Sequence, residues 1–341
     1  VPTSHESREF DQTLQSYLRR GYDAGDAMGR TGNAIGFVMT VYRKLAASSA
    51  AAIHRALQNR LQRLLDENST EYSLEEPNDI RYFGEWEEQL KSEAREFFAG
   101  EIQLLKELIQ EAEALKSNDL KLQQFIHDII EKISESNPDE KVLIFTEYRN
   151  TQSYLRDALA AEYGEDKVEL INGSMQHTER AEGIKRFEDQ GRFLISTEAG
   201  GEGINLQRNC HIMVNYDLPW NPMRLVQRIG RLYRYGQQKK VVVFNIKQTD
   251  SLDQNIVDLM YDRIDSVVTD LAGIQEHEYN DGLKDEILGE LAELIDVEVI
   301  LQEATQLGIE RTRDRIDDAL KQARSAAAKQ RELFSYAATS D

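Results

Sequence analysis

The chain has 341 residues, which is enough for two or three domains with a substantial core. It contains no run of 18 apolar residues and opens with no signal peptide, so neither a transmembrane helix nor membrane binding is predicted. The single cysteine, Cys210, excludes an intramolecular disulfide. A reducing, cytoplasmic compartment is therefore expected.

The formal net charge of −20 is unevenly distributed along the chain. Residues 1–140 carry 16 basic and 26 acidic residues, and residues 251–341 carry 9 and 21. Only the middle part, residues 141–250, is not acidic, with 16 basic and 14 acidic residues. Acidic flanks would confine attraction of a polyanion to a local basic surface. The alternative is that they only keep helical segments soluble.

The first part of the chain reads as helical. Residues 1–30 are polar and weakly periodic, which predicts a surface helix. Between residues 34 and 65 apolar side chains recur at helical spacing, so residues 1–65 form an N-terminal helical segment. Residues 66–82 are rich in acidic groups and predict a linker. Residues 83–137 return to helix, with one apolar face formed by Ile126, Ile129, Ile130 and Ile133.

From residue 138 the hydrophobic period changes to short apolar runs that alternate with helices. The predicted strands are Val142–Thr146, Val168–Ile171, Phe193–Ser196, His211–Asn215 and Val241–Ile246. The predicted helices between them are Thr151–Tyr163, Thr178–Glu188 and Pro222–Ile229. Such alternation predicts a doubly wound α/β lobe with a parallel sheet, over residues 138–273. Residues 274–341 predict a C-terminal helical segment.

An arginine-rich segment runs from Gln227 to Gln237. Arg228, Arg231 and Arg234 follow at i, i+3 and i+6, so neighbouring guanidinium groups lie within about one helical turn. A planar guanidinium can donate two parallel hydrogen bonds to phosphate oxygens. The segment is therefore either a site for a polyanion or a solvated basic helix.

This segment resembles motif VI of the superfamily 2 helicases, and most closely that of the Swi/Snf-type ATPases, whose pattern is Gln-Arg-x-Gly-Arg-x-x-Arg-x-Gly-Gln. Four further segments resemble that family in its order: Lys141–Tyr148 (motif IV), Ile171–Ser174 (motif IVa), Ser196–Gln207 (motif V) and the Pro-Trp-Asn-Pro link within Leu218–Pro222. Together they cover roughly residues 140–270. The resemblance implies the second, RecA-like motor lobe of a bacterial helicase-like ATPase, flanked by helical arms.

The resemblance assigns roles to particular residues. Arg231 and Arg234 would stabilise the departing γ-phosphate as catalytic arginine fingers. Nucleotide would be contacted by Gly203, Asn205 and Gln227, and the nucleic-acid backbone by Arg149, Gly173, Ser174, Ser196 and Thr197.

Several of these positions also have plainer interpretations. Gly173 and Ser174 would equally suit an ordinary turn between a strand and a helix, and Arg149 could be solvated. For Arg228 the alternative is a pair with an acid inside the lobe. Trp220 would anchor its loop or stack on a base. Glu202 departs from the apolar residue of many relatives, so its role is open.

The sequence lacks a Gly-x-x-x-x-Gly-Lys-Ser/Thr loop and an Asp-Glu-x-x box at a strand end. The resemblance therefore implies ATP with Mg²⁺ as cofactor. The Mg²⁺ ligands would lie on a first, P-loop lobe in the same or a companion chain. Without that lobe this chain is expected to be inactive. The six histidines show no metal-binding spacing, so no metal site is predicted.

Three functions remain in competition. The first is a translocase on double-stranded DNA, which the Pro-Trp-Asn-Pro link and the Arg-x-Gly-Gln tail favour. The second is a strand-separating RNA helicase. The third is a non-catalytic interaction module that keeps a motor-like fold. Further protein partners could bind the acidic helical segments.

Overall fold

The computed structural model describes residues 4–26, 30–65, 96–198, 200–201, 203–219, 222–233 and 235–247. The acidic linker predicted for 66–82 and the helical segment predicted for 274–341 lie outside them, and the predicted domain boundaries stay predictions. The chain divides into two compact units, 1–218 with 228–249, and 219–227 with 250–341. Among the described residues, none of the helices has the length and apolarity needed to span a membrane.

The centre of the first unit is a five-stranded sheet. Its strands are β1 (Val142–Phe145), β2 (Val168–Ile171), β3 (Phe193–Ser196), β4 (Ile212–Asn215) and β5 (Val242–Asn245), in the order β2-β3-β1-β4-β5. Every pairing is parallel, and Phe145 lies opposite both Ser196 and Asn215. The strands therefore end flush, and the loops after them share one edge of the sheet.

Both faces of this sheet are covered. The helices of the lobe within the first unit are α7 (Arg149–Tyr163), a 3₁₀ turn (Glu165–Lys167) and α8 (His177–Asp189), whereas α9 (Pro222–Ile229) begins in the second unit. Alternate strand residues pack against Leu155 and Leu159 of α7 on one face. The other set packs against Phe187 of α8 and Leu232. The predicted α/β lobe with a parallel sheet covered on both faces is confirmed, and its elements lie within one or two residues of the predicted bounds.

The helices before the sheet form a second core in the same unit. They are α1 (His5–Asp26), α2 (Arg30–Ser48), α3 (Ala50–Leu65) and α4 (Glu101–Ser117). The helix predicted within residues 1–30 is confirmed by α1, which has one exposed face and one face that packs in this core. The side chains of α1 that enter the core are Phe10, Leu14, Tyr17, Leu18 and Tyr22. These positions repeat at helical spacing, but two of them are tyrosines, which weakened the apolar pattern.

A buried ion pair holds three of these helices together. Arg60 donates from Nε and Nη2 to the two carboxylate oxygens of Glu101, at 2.9 Å each. The Tyr17 hydroxyl donates to the same carboxylate at 2.7 Å. The Arg60 guanidinium also lies 3.6 Å from the centroid of the Phe97 ring. With its charge shared among these partners, the pair is a satisfied network rather than a vacant binding site.

The last helix before the sheet has an unpredicted break in its regularity. It consists of α5 (Leu120–Gln124), a π-helical segment (Phe125–Ile130) and α6 (Glu131–Ser136). Phe125 meets Tyr216 edge to face, with ring centroids 5.5 Å apart. Ile126, Ile130 and Ile133 are buried in the sheet core, as the isoleucine pattern predicted. The wider π turn is a local adjustment that hydrophobic spacing alone does not encode.

Candidate nucleotide and nucleic-acid interface

Two loops and the helix α7 are joined by hydrogen bonds at the carboxyl ends of the strands. Thr197 N, in motif V, donates to the Ile171 carbonyl of motif IVa at 3.1 Å. Gln152 on α7 donates from Nε2 to the carbonyls of Ile171 (2.9 Å) and Ile195 (2.8 Å). Its Oε1 accepts from Asn172 Nδ2 at 3.3 Å. Gln152 is fully buried and ties α7 to the ends of β2 and β3, a role that the sequence reasoning missed.

The motif V glycines are of two kinds. At Gly200 an added Cβ would lie 2.5 Å from the Ile171 carbonyl oxygen and 2.6 Å from Asn172 Cα, so a side chain has no room. Gly203 instead has φ +77° and nothing within 4 Å of its Cβ position. Gly200 therefore permits close packing of the loop on motif IVa, whereas Gly203 is exposed and supplies a left-handed turn.

Ser196 and Thr197 are fully buried. Ser196 Oγ donates to the Thr197 carbonyl at 2.8 Å, and Thr197 Oγ1 accepts from Gly200 N at 3.4 Å. Both hydroxyls are thus engaged within their own loop. Their predicted contact with nucleic acid stays a prediction, and it requires that the loop present them to solvent.

The motif IVa loop presents its predicted residues to solvent. Gly173 and Ser174 are exposed. Asn172 Oδ1 accepts from both Ser174 N (3.2 Å) and Ser174 Oγ (2.8 Å), which holds the loop in one shape. Arg149 is partly exposed and begins α7. Sequence reasoning missed Asn172, although an asparagine directly after a strand is a signal for such a turn.

Arg228 is an internal anchor of motif VI. Its side chain is fully buried, and Nε donates to Glu198 Oε2 at 2.8 Å. Nη1 donates to Asn215 Oδ1 at 3.1 Å and to the Asp217 carbonyl at 2.9 Å. Nη2 lies 3.9 Å from Asp217 Oδ1. Of the two interpretations of Arg228, pairing with acids inside the lobe is confirmed.

The residues predicted to contact nucleotide are exposed or partly exposed wherever the structure describes them. Arg231 is partly exposed, and its backbone N donates to the Arg228 carbonyl at 3.0 Å. Asn205 and Gln227 are exposed, and Gln227 belongs to the second compact unit. Arg234, Glu202 and Trp220 lie outside the described residues.

Among the described residues, no group of three or more histidine, cysteine, aspartate or glutamate side chains could hold a metal ion.

A five-stranded parallel sheet with helices on both faces and glycine-bearing loops at the carboxyl ends of its strands defines a RecA-like lobe. Residues 121–236 match the family described as helicase conserved C-terminal domain. The chain therefore contains this helicase domain, and the resemblance to Swi/Snf-type ATPases is confirmed.

Curated relatives agree with this assignment. The uncharacterized ATP-dependent helicase YqhH of Bacillus subtilis is 43% identical over 157 residues, which are 46% of this chain and 26% of that protein. The putative ATP-dependent helicase/translocase YwqA of the same organism is 30% identical over 149 residues, 43% of this chain and 16% of that protein. Human DNA repair and recombination protein RAD54B is 28% identical over 160 residues, 45% and 17% respectively. This chain thus matches about a quarter or less of the length of each.

Two solved structures are also similar. The C-terminal part of the Fun30 ATPase domain has a TM-score of 0.42 and 19% identity, covering 73% of this chain and 83% of that chain. The Sulfolobus solfataricus SWI2/SNF2 ATPase core in complex with dsDNA has a TM-score of 0.40 and 19% identity, covering 77% and 47%.

Proposed function

We propose that this chain is the second motor lobe of an ATP-dependent translocase that moves on double-stranded DNA. The observation that carries the proposal is the division of roles within motif VI. Arg228 is buried and fixed by acceptors of the lobe, whereas Arg231, one turn later, is partly exposed. Arg228 thus anchors motif VI in the lobe, while the partial exposure of Arg231 leaves its side chain accessible to a ligand outside the lobe.

In this proposal Arg231 and Arg234 face a triphosphate that a P-loop lobe holds, together with Mg²⁺. ATP supplies a γ-phosphoryl group whose departure spreads negative charge over its oxygens. An arginine provided from a second lobe stabilises that charge and contributes about 10³–10⁵ in rate. Gly203, Asn205 and Gln227 bind the nucleotide's outer flank, with Arg234 as the principal finger.

The nucleic-acid contacts lie at the neighbouring loops. Gly173 and Ser174 are exposed just before α8, so the Gly173 N–H can donate to phosphate, and Ser174 can do so by exchanging Asn172 Oδ1 for a phosphate oxygen as its acceptor. Arg149, at the start of α7, adds a positive charge. Ser196 and Thr197 join them when motif V opens. Contacts of this kind grip the backbone and read no sequence. A DNA substrate is supported by the name of the DNA repair and recombination protein RAD54B, and translocation by the name of the putative helicase/translocase YwqA.

The decisive experiment uses the complete ATPase, with a P-loop lobe in the same or a companion chain. Arg234→Ala and Arg231→Ala are compared with Arg156→Ala, an exposed arginine paired with its neighbour Asp157. We expect the first two to lower kcat about 10³-fold or more with nucleotide affinity largely kept, and Arg156→Ala to change neither. Full turnover in Arg234→Ala would refute the proposal.

The substrate is tested separately. Duplex DNA and structured RNA are compared as activators of ATP hydrolysis, alone and in competition. Stimulation by duplex DNA that RNA does not compete away supports the translocase. Stimulation by RNA alone would make the lobe part of an RNA helicase. No hydrolysis with either, in the presence of a P-loop lobe, would favour the non-catalytic module.

A further inference from the structure

The junction between α2 and α3 is a buried polar turn. α2 ends at Ser48, α3 begins at Ala50, and Ser48 and Ser49 are 1% and 3% exposed. Ser49 Oγ accepts from Ala52 N at 3.1 Å, so it caps the start of α3. Lys121 closes the other side, because Nζ donates to the Ala47 carbonyl (3.0 Å) and the Ser48 carbonyl (2.7 Å) at the end of α2.

Four side chains connect this junction to the lobe. Ser49 and Thr151 lie 2.8 Å apart between hydroxyl oxygens, Thr151 and Ser48 also 2.8 Å, and Ser48 Oγ is 2.6 Å from Asp217 Oδ2. An ionised carboxylate only accepts, so Ser48 must donate to Asp217. Ser48 then accepts from Thr151, and Thr151 accepts from Ser49. The direction of the whole chain of hydroxyl groups is set by one carboxylate.

Asp217 is the meeting point of the junction and motif VI. Its carboxylate also accepts from Thr146 Oγ1 at 2.6 Å and from Glu147 N at 2.9 Å, both in the loop after β1. Its carbonyl accepts from Arg228 Nη1, and its carboxylate lies 3.9 Å from Arg228 Nη2. The neighbouring Tyr216 ring lies 4.4 Å from Lys121 Nζ. Every member of this set except Glu147 is buried.

We propose that Asp217 is a positioning residue through which the Ser48–Ser49 junction sets the position of Arg228, so that the N-terminal helical segment is an input to motif VI. Loss of a hydroxyl from the chain leaves a buried donor or acceptor unsatisfied. Asp217 then shifts towards its remaining donors, and Arg228, which is fixed by Asp217 on one side, loosens. The effect reaches Arg231 because its backbone N–H is bonded to the Arg228 carbonyl.

The test is hydrogen exchange on the full chain, which needs no catalytic activity. Thr151→Val removes the central hydroxyl at nearly constant shape, and Thr151→Ser keeps it. Ser117→Ala is the matched control, since Ser117 also ends a helix but is exposed and bonds only within α4. Exchange is measured at the backbone amides of Arg231, Leu232 and Tyr233 in motif VI. The amide of Val142, which donates to the Arg192 carbonyl, serves as the reference for the sheet.

We expect Thr151→Val to speed exchange at the three motif VI amides about tenfold, from the loss of roughly one buried hydrogen bond, while Val142 is unchanged. Thr151→Ser and Ser117→Ala should leave the motif VI amides as in the parent. The proposal is overturned if the motif VI amides exchange at the same rate in Thr151→Val as in Ser117→Ala, or if exchange at Val142 speeds up by the same factor. It is also overturned if Thr151→Ser speeds exchange at the motif VI amides as much as Thr151→Val does. Any effect on ATP turnover rests on the proposed function, but the exchange result does not, so the two can fail separately.

Discussion

Arg228 and Glu198, 30 residues apart in the chain, meet at 2.8 Å between Nε and Oε2 and thereby join motif VI to motif V. The arginine side chain is fully buried and the glutamate side chain is 14% exposed. Desolvating both charges is costly, and the pair persists because Asn215 and Asp217 accept further hydrogen bonds from the same guanidinium. Removing one partner alone leaves the other partly buried and without its counter-charge.

We therefore expect Arg228→Met to lower the free energy of unfolding by about 3 kcal/mol, the lower end for a broken buried pair, since Glu198 keeps some solvent contact. The measurement is urea denaturation of the full chain. Arg156→Met is the control, because Arg156 is half-exposed and its removal should change stability by no more than about 0.5 kcal/mol. Equal effects of the two substitutions would contradict the anchoring role.

The glycines of motif V give a second prediction. Gly200→Ala places a Cβ 2.5 Å from the Ile171 carbonyl oxygen, and the backbone on both sides of this contact is fixed by hydrogen bonds. We expect a loss of about 2–3 kcal/mol from the forced displacement. Gly203→Ala meets only the left-handed backbone penalty of roughly 1 kcal/mol.

The control for both substitutions is Gly36→Ala. Gly36 lies inside α2, and an added Cβ would be in ordinary contact with the Tyr22 ring at 3.8 Å. Alanine should be neutral or stabilise by up to about 1 kcal/mol there, because it restricts the unfolded chain. A loss at Gly36 as large as at Gly200 would show that steric crowding is not the cause.

We expect the buried Lys121 to make the free energy of unfolding depend on pH. Burial lowers the pKa of its ammonium group from 10.5 to about 8, against the attraction of Asp217 and Asp119. Between about pH 8 and 10.5 the unfolded chain therefore holds more protons than the folded chain, and stability attributable to Lys121 rises with pH. The comparison is parent against Lys121→Met by urea denaturation from pH 6 to 10.

The difference between the two proteins should be flat below about pH 7.5 and then shift in favour of the parent, with a limiting slope of about 1.4 kcal/mol per pH unit. Other titrating groups are common to both proteins and cancel. A constant difference up to pH 10 would contradict the buried, charged lysine.

Cys210 provides a fourth prediction. Burial raises the pKa of its thiol from 9.0 to about 12, although hydrogen bonds to backbone oppose the shift. At pH 8 the folded protein should carry about a thousandfold less thiolate than an exposed cysteine, and an aromatic disulfide reagent should label it only on unfolding. The rate in native buffer is compared with that in concentrated urea. Rapid labelling of the folded chain would show that this part of the lobe is open.

The motif IVa loop gives the fifth prediction, which depends on the proposed function. Asn172→Ala removes the acceptor that holds Ser174, so binding of duplex DNA by the complete ATPase should weaken about threefold to tenfold, as for a lost hydrogen bond. Asn209→Ala is the control, since Asn209 is exposed and its side chain bonds to Glu188, away from this loop. Equal affinities for the two variants would separate this loop from DNA binding.

The sequence predicted the sheet well because its strands are short, apolar and buried. All four residues of β1, β3 and β4 are buried, so their apolar runs are continuous and unambiguous. It predicted the packing of α1 poorly, because Tyr17 and Tyr22 contribute large buried surfaces but count as polar in a simple pattern.

The site was predicted in outline rather than in its contacts. Motif spacing indicated the loops, but not that Gly200 packs against the motif IVa backbone or that Gly203 forms a left-handed turn. The partners of Arg228, and the link from Ser48 to Asp217, join positions far apart in the chain, and no local pattern reports such distances. Whether Ser196 and Thr197 reach nucleic acid depends on a loop conformation, which is also beyond a sequence pattern.

The separation of 169 residues between Ser48 and Asp217 has a consequence for biosynthesis. A ribosome adds about 5–20 residues per second, so the serine emerges on the order of ten seconds or more before its acceptor is made. During translation the α2–α3 turn therefore lacks the Asp217 carboxylate. Its hydrogen-bond chain can be completed only after the residues that follow β4 have been synthesised.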